Sequence, residues 1–257
     1  MDVSAAYVAL ANRLADAAGT VIRPYFRQDA GLEFKADRSP VTRADTEAEA
    51  AMRAVIEATH PDDGILGEEG EDRNRDAEFL WVLDPIDGTK SFATGKPMFA
   101  TLIALVRDDV PIFGIIDQPV LGERWSGGTG HPSTFNGAPI TTRTCAQLSD
   151  AWLSATAPDM FEGPDQTSFT RLSDGARHTV FGGDGYGYGL LANGYTDLVC
   201  EAMLNPWDFC ALGPVITGAG GIFTDWAGDP VKLGSDGHVL GSGDARLHAE
   251  ALVALNG

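Results

Sequence analysis

Trp81-Val82-Leu83-Asp84-Pro85-Ile86-Asp87-Gly88-Thr89 runs an apolar strand straight into two carboxylates that flank a proline. A strand end is a rigid mount for ligands. Pro85 fixes its own φ and biases Asp84 towards extended backbone, so both carboxylates can turn to one point with the Ile86 carbonyl between them. Oxygen donors in this spacing, with no His or Cys nearby, suit Mg²⁺ or Mn²⁺ and argue against zinc. Gly88 and Thr89 then supply adjacent backbone N–H groups of the kind that hold a phosphate. Taken alone, Asp-Pro-x-Asp-Gly is also an ordinary turn.

Working outward, Ile65-Leu66 leads into Gly67-Glu68-Glu69-Gly70, a second apolar run ending in carboxylates, although such a pair is more often a solvated turn. Residues 42–59 form a helical pattern with Ala48, Met52, Val55 and Ile56 on one face and Pro61 as a stop. Asp45 lies in the acidic first turn of that helix, where a carboxylate suits the dipole. Tyr7, Leu10, Leu14, Ala17, Val21 and Tyr25 recur at three- and four-residue steps, which predicts a first helix ending near Pro24. Residues 79–83, 101–106 and 113–116 read as strands of one sheet.

Downstream, residues 124–139 are rich in Gly, Ser, Thr and Pro, and beyond them strand and helix signals alternate at 153–157, 189–192 and 198–200. A domain boundary is placed near residue 140. Asn205-Pro206-Trp207-Asp208-Phe209-Cys210-Ala211-Leu212 opens an apolar helical run that ends in Gly220-Gly221. Asp208 reads as its N-cap, a position from which a carboxylate can also serve a metal.

The chain has 257 residues, with 18 Lys and Arg against 37 Asp and Glu and a formal net charge of −19. An electrostatic grip on nucleic acid or an anionic membrane is therefore disfavoured. With 44% hydrophobic residues there is matter for a sizeable core, in one large domain or two that share an interface. No run approaches a membrane span, and Asp2, Arg13 and Asp16 interrupt the opening segment, which reads as part of the fold and not as a signal peptide. Cys145, Cys200 and Cys210 lack metal or redox spacing, so reduced thiols in the cytoplasm are the simplest reading. His131, His178, His238 and His248 are scattered singly and take no role; His60 precedes Pro61 at a helix end. Trp125, Trp152 and Trp226 read as packing residues.

Gly-Glu-Glu at 67–69, Trp-Val-Leu-Asp-Pro-Ile-Asp-Gly-Thr-Lys-Ser-Phe at 81–92, and Trp-Asp-Phe-Cys-Ala-Leu at 207–212 with Ala-Gly-Gly at 219–221 occur in that order. This set resembles the inositol monophosphatase family, from about the second helix to the C-terminus. The resemblance implies an α/β fold: a layered α/β sandwich of the sugar-phosphatase type. Residues 1–140 would form an α+β half carrying most metal ligands, and residues 141–257 an α/β half carrying the substrate loop and the last ligand. It further implies a metal shell of Glu68, Asp84, the Ile86 carbonyl, Asp87 and Asp208 for two or three Mg²⁺ ions, with Asp84 bridging two. Asp45 and Thr89 match the pair that orients and deprotonates the attacking water, so no Cys or Ser nucleophile is nominated. A two-metal clamp supplies the nucleophile and neutralises charge on the attacking and leaving oxygens. Relatives of this kind imply a homodimer.

Gly182-Gly183-Asp184-Gly185 stands where the family carries a small-residue substrate loop, and here the chain departs from the inositol pattern. Asp184 adds a carboxylate to a pocket that already holds Glu201, and two carboxylates around a leaving group favour a cation. Gly88, Thr89, Gly182, Gly183, Asp184, Glu201 and Asp208 would then contact the ester. Histidinol phosphate, an intermediate of histidine biosynthesis carrying an ammonium and an imidazole, is the expected substrate. Inositol-1-phosphate, 3′-phosphoadenosine-5′-phosphate, or a catalytically silent metal- or phosphate-binding regulator are the alternatives. Asp184 read alone is also an Asx-turn residue before Gly185.

Overall fold

The computed structural model describes residues 2–36 and 38–257. The chain opens with helix α1 (Ala5–Tyr25), capped by the Ser4 hydroxyl, and Pro24 is accommodated in its last turn. A short hairpin, β1 (Glu33–Phe34) and β2 (Pro40–Val41), leads to α2 (Arg43–Thr59), capped by Thr42. Then follow β3 (Gly64–Gly67), β4 (Leu80–Asp87), the short helix α3 (Thr89–Ala93), β5 (Ala100–Arg107) and β6 (Val110–Gln118). The Gly- and Ser-rich stretch after them forms β7 (Glu123–Gly128), β8 (His131–Phe135) and β9 (Ala138–Pro139). These strands make a seven-stranded sheet in simple chain order, β3 to β9.

A second sheet follows: β10 (Trp152–Ala155), helix α4 (Pro164–Gly175), β11 (His178–Phe181), α5 (Asp184–Ala192), β12 (Leu198–Glu201), α6 (Pro206–Phe209), α7 (Leu212–Gly218), β13 (Ile222–Thr224), β14 (Val239–Ser242) and α8 (Ala245–Asn256). Its order is β11-β10-β12-β14-β13, parallel where β10 meets β11 and β12, antiparallel at β14.

Alternation along β4 shows how the layers stack. Trp81 and Leu83 point to one face, where they join Leu14, Ile22, Met52 and Ile56 of α1 and α2. Leu80 and Val82 point to the other, where they join Tyr188 and Leu191 of α5 and Val215 and Ile216 of α7. Because both faces are covered, β4 and β5 read as nearly unbroken apolar runs. The outer face of the second sheet is closed by α4 and α8 over Leu153, Leu198 and Leu240. Helices and sheets thus alternate as α, β, α, β, α, and among the described residues no helix is long and apolar enough to cross a membrane.

Candidate active site

The apolar run at 79–83 does not end before the carboxylates; β4 continues through Asp87. Its pairing with β5 slips between Asp84, opposite Leu102, and Asp87, opposite Ala100, so one extra residue is accommodated on β4. In a regular strand, residues three apart would face opposite sides. The bulge rotates Asp87 back to the side of Asp84, and Pro85, which has no N–H to offer the ladder, sits inside it. Thr101 Oγ1 fixes the bulge by donating to the Pro85 carbonyl at 2.8 Å, and the Ile86 N–H donates to Asp84 Oδ1 at 2.9 Å.

Asp208 arrives from the middle layer. It is not the N-cap of α6: Asn205 is, and Asp208 is the third helical residue, its Oδ2 accepting from the Asn205 N–H at 2.7 Å. Pro206 takes the first helical position, which suits its fixed φ and missing N–H, and so displaces the cap one residue upstream of it. The capping-box geometry aims the carboxylate back along the chain towards β4. Asp84, Asp87 and Asp208 each place a carboxylate oxygen within 4.8 Å of the others. Burial, followed by the charges of Glu68, Asp87, Asp208 and Asp45, raises the Asp84 carboxyl well above the usual range. Burial and the charges of Asp184, Asp208 and Glu201 do the same to Asp87. Burial lifts Asp208 to about 6, against the hydrogen bond from the Asn205 N–H.

Glu68 follows the end of β3, and its N–H donates to the Leu83 carbonyl at 3.2 Å. It is not one of the three mutually close carboxylates. Its Oε1 accepts from Lys35 Nζ at 2.9 Å, and Lys35 also reaches Glu69 Oε1 at 2.8 Å. Lys35 was not singled out from the sequence, since nothing local connects the β1–β2 hairpin to a strand end thirty-odd residues on.

Asp45 is fully buried, unlike a dipole-friendly surface residue. Its Oδ2 accepts from the Thr42 N–H at 2.9 Å, while Oδ1 lies 3.4 Å from Thr89 Oγ1. Thr89 Oγ1 also lies 3.1 Å from the Ile86 carbonyl, so the hydroxyl bridges α2 and the strand end. Burial pushes the Asp45 carboxyl up to about 6 against the opposing Thr42 hydrogen bonds.

Asp184 begins α5 with a left-handed backbone, φ +43°, which Asp tolerates better than most residues. Its carboxylate reaches across to Ser91 Oγ of α3 at 3.4 Å. Gly182 N–H bonds the carbonyls of Ala155 and Thr156, the Gly183 carbonyl accepts from Gly187, and the Gly185 N–H donates to Asp87 Oδ2. The loop is therefore fastened to the end of β4. Glu201, at the end of β12, accepts from Thr156 Oγ1 at 2.5 Å and from Tyr188 OH at 3.1 Å. Burial lifts Glu201 to about 7 and Asp184 to about 6, the latter opposed by Ser91, Lys90 and Lys96. Ser91, Thr156 and Tyr188 were legible in the sequence only as hydrophilic or aromatic residues near motifs.

The donor set is hard oxygen throughout, and so much crowded negative charge calls for a cation. Mg²⁺ fits it, and a soft-ligand metal does not.

The inositol monophosphatase family model matches residues 5–256. The bifunctional phosphatase IMPL2, chloroplastic, of Arabidopsis thaliana is 46% identical over 258 residues, 97% of this chain and 75% of that protein. A histidinol-phosphatase of Mycobacterium tuberculosis is 35% identical, covering 96% of each chain. The solved structure of an inositol monophosphatase from Zymomonas mobilis superposes with a TM-score of 0.91 at 48% identity, covering 99% of this chain and 100% of that one.

Proposed function

The chain belongs to the inositol monophosphatase family and shares its layered α/β sandwich and its phosphatase activity, and on that premise we propose that it hydrolyses histidinol phosphate to histidinol and phosphate. Mg²⁺ dependence is general to the family. We assign Asp84, the Ile86 carbonyl, Asp87, Asp208 and Glu68 to holding it. When bound, Mg²⁺ supplies charge neutralisation at the phosphoryl oxygens and acidifies water.

The chain's own residues do the rest. Thr89 Oγ1 accepts a proton from the attacking water as it passes its own to Asp45 Oδ1, 3.4 Å away. A carboxyl near 6 is ionised at neutral pH yet able to hold a proton, which suits a general base. The Gly88 and Thr89 N–H groups take the phosphate. Cys200 and Cys210 are buried thiols and offer no nucleophile.

The observation that carries the choice of ester is the position of Asp184: the loop it opens is bonded to Asp87 through Gly185, which puts a carboxylate beside the metal-facing strand end. With Glu201 behind it, that side of the site attracts a cationic leaving group. Histidinol offers an ammonium; inositol offers hydroxyls only. The relative from Mycobacterium tuberculosis bears the name histidinol-phosphatase. The Zymomonas mobilis structure, an inositol monophosphatase, favours inositol-1-phosphate as the second reading. Phosphate release from histidinol phosphate, inositol-1-phosphate and 3′-phosphoadenosine-5′-phosphate, side by side with Mg²⁺, decides between them, and absence of turnover on all three would favour a silent regulator.

A homodimer and a cytoplasmic location belong to the same proposal. Light scattering tests the first. Three free cysteines support a reducing compartment, while the name of the plant relative places that protein in the chloroplast.

A further inference from the structure

We infer that Glu49 is the positioning residue for Glu68, and that through it α2 sets the affinity of the site for Mg²⁺. The inference rests on the assignment of Glu68 as a metal ligand.

Glu49 lies one helical turn beyond Asp45 on α2, and both side chains are buried. Residues four apart share a helix face, so α2 presents both carboxylates to the strand ends. Asp45 meets Thr89. Glu49 meets the segment that carries Glu68: its Oε2 accepts from the Glu69 N–H at 2.8 Å and its Oε1 from the Gly70 N–H at 2.8 Å. Consecutive backbone N–H groups closing on one anion form a nest, here occupied by a side chain of the same protein. Arg53 Nε donates to Glu49 Oε1 at 2.7 Å and balances its charge, while Arg53 Nη1 donates to the Glu71 carbonyl at 2.9 Å.

Space is as tight as the bonding. A Cβ on Gly67 would lie 2.3 Å from Glu49 Oε1, and one on Gly70 2.8 Å from the same atom. The turn at 67–70 thus wraps the carboxylate with nothing between. Glu68 sits inside this wrap, tied to β4 by its own N–H and to α2 by the next two. Its backbone direction, and so the aim of its carboxylate, follows Glu49. Among the described residues the hydrogen bonds of Glu49 go to Arg53, Glu69 and Gly70 and not to the Asp84, Asp87 and Asp208 group, so its influence passes through the turn.

The test uses the whole chain with Glu49→Gln, Glu49→Asp, Glu68→Gln and the double variant Glu49→Gln/Glu68→Gln. Gln keeps one acceptor but sets an amide donor against an N–H, and Asp is too short to reach both. Two quantities are read: the Mg²⁺ concentration for half-maximal activity, and the Mg²⁺-induced rise in Tm of the metal-free protein. Glu49→Gln is expected to raise the half-saturating Mg²⁺ about tenfold or more, in line with the loss of other groups that orient ligands. The Tm rise at fixed Mg²⁺ should shrink in parallel, while kcat at saturating Mg²⁺ stays within about threefold, because the machinery of the chemical step is untouched. Glu49→Asp should fall between wild type and Glu49→Gln, and it carries the test should Glu49→Gln fail to fold by circular dichroism. In the Glu68→Gln background the Glu49→Gln effect on Mg²⁺ should vanish. If Glu68→Gln weakens Mg²⁺ but both Glu49 variants bind it as wild type does, the role of Glu49 is overturned and that of Glu68 stands. Unaltered Mg²⁺ response in Glu68→Gln overturns the ligand assignment and the inference with it.

Discussion

The Asp184 carboxylate occupies the space that a side chain on Gly88 would need: a Cβ there would lie 3.0 Å from both Cγ and Oδ2 of Asp184. Gly88 has φ +90°, a backbone that L side chains rarely adopt, and it caps α3. The bare backbone after β4 is thus what lets the start of α5 close on the strand end. Two segments nearly a hundred residues apart are fitted to each other at the end of β4.

Gly88→Ala is expected to lower stability by about 1–3 kcal/mol, from the strained φ and the clash with Asp184, and to lower kcat/KM for every ester. Adding Asp184→Ala should recover part of the stability and none of the φ strain. Urea unfolding of both single variants and the double variant measures this; strict additivity would show that the two residues do not crowd each other.

Asp184→Ala should lower kcat/KM for histidinol phosphate about ten- to a hundredfold, the worth of one charge-assisted hydrogen bond, and change inositol-1-phosphate hydrolysis far less. Glu201→Gln should act in the same direction, with a non-additive double variant, since both carboxylates serve one pocket. Steady-state kinetics on both esters checks it, and a uniform loss across esters would leave Asp184 a structural residue.

Asp45→Asn and Thr89→Ala should each reduce kcat by roughly 10²–10⁴, the usual worth of a general base, while leaving the Mg²⁺-induced rise in Tm close to that of wild type. Asp84→Asn should abolish both activity and the Tm rise. A variant of Asp45 that loses the thermal response to Mg²⁺ would move that residue from proton transfer to metal binding.

Protons and Mg²⁺ should compete at the strand end. Asp208, lifted to about 6 chiefly by burial, has a folded value above its unfolded one. Its contribution to the stability of the metal-free protein is therefore fully present below about pH 4 and lost as pH rises through about 6. Asp84 and Asp87, raised by burial and by their neighbours' charge, act in the same sense. Bound Mg²⁺ removes this penalty, so its stabilising effect should be small at pH 5 and full at pH 7.5. Thermal melts with and without Mg²⁺ at the two pH values test this, and equal shifts would contradict it.

His248 of α8 provides a control of opposite sign. Its ring is buried, its Nε2 lies 2.9 Å from Thr224 Oγ1, and burial pushes it down to about 4. A folded value below the ordinary 6.5 means that the unfolded chain binds the proton first. The contribution is present above about pH 6.5 and lost as pH falls towards 4. The difference in unfolding free energy between wild type and His248→Phe should accordingly change between pH 7 and pH 5; a constant difference would show that the ring is not held neutral.

Local pattern was enough for much of this protein. The two N-terminal helices lie where their three- and four-residue apolar steps placed them, and Pro24 marks the end of the first to within one residue. The strands around residues 80, 101 and 113 were legible because each is a short β-prone run between turns, although the first extends four residues further than its apolar part. Residues 124–139 hid three strands, because strands packed closely against a helix and each other use Gly and Ser in place of the branched residues that announce a strand.

By itself the sequence determined the two N-terminal helices and the strands around residues 80, 101 and 113, the family to which the ordered motifs belong, and the oxygen chemistry at the end of β4, since all of these depend on residues close along the chain. Only the tertiary structure decided which distant groups meet. The β4 bulge, Lys35 on Glu68, Glu49 under the 67–70 turn, the hydroxyls of Thr156 and Tyr188 on Glu201, and Asp184 against Gly88 all join residues from separate elements. Asp208 shows the division within a single residue. Its place near a helix start is written in Asn205-Pro206, but the aim of its carboxylate at Asp84 exists only because α6 is packed between the two sheets, where burial and crowding make the charge costly until a cation shares it.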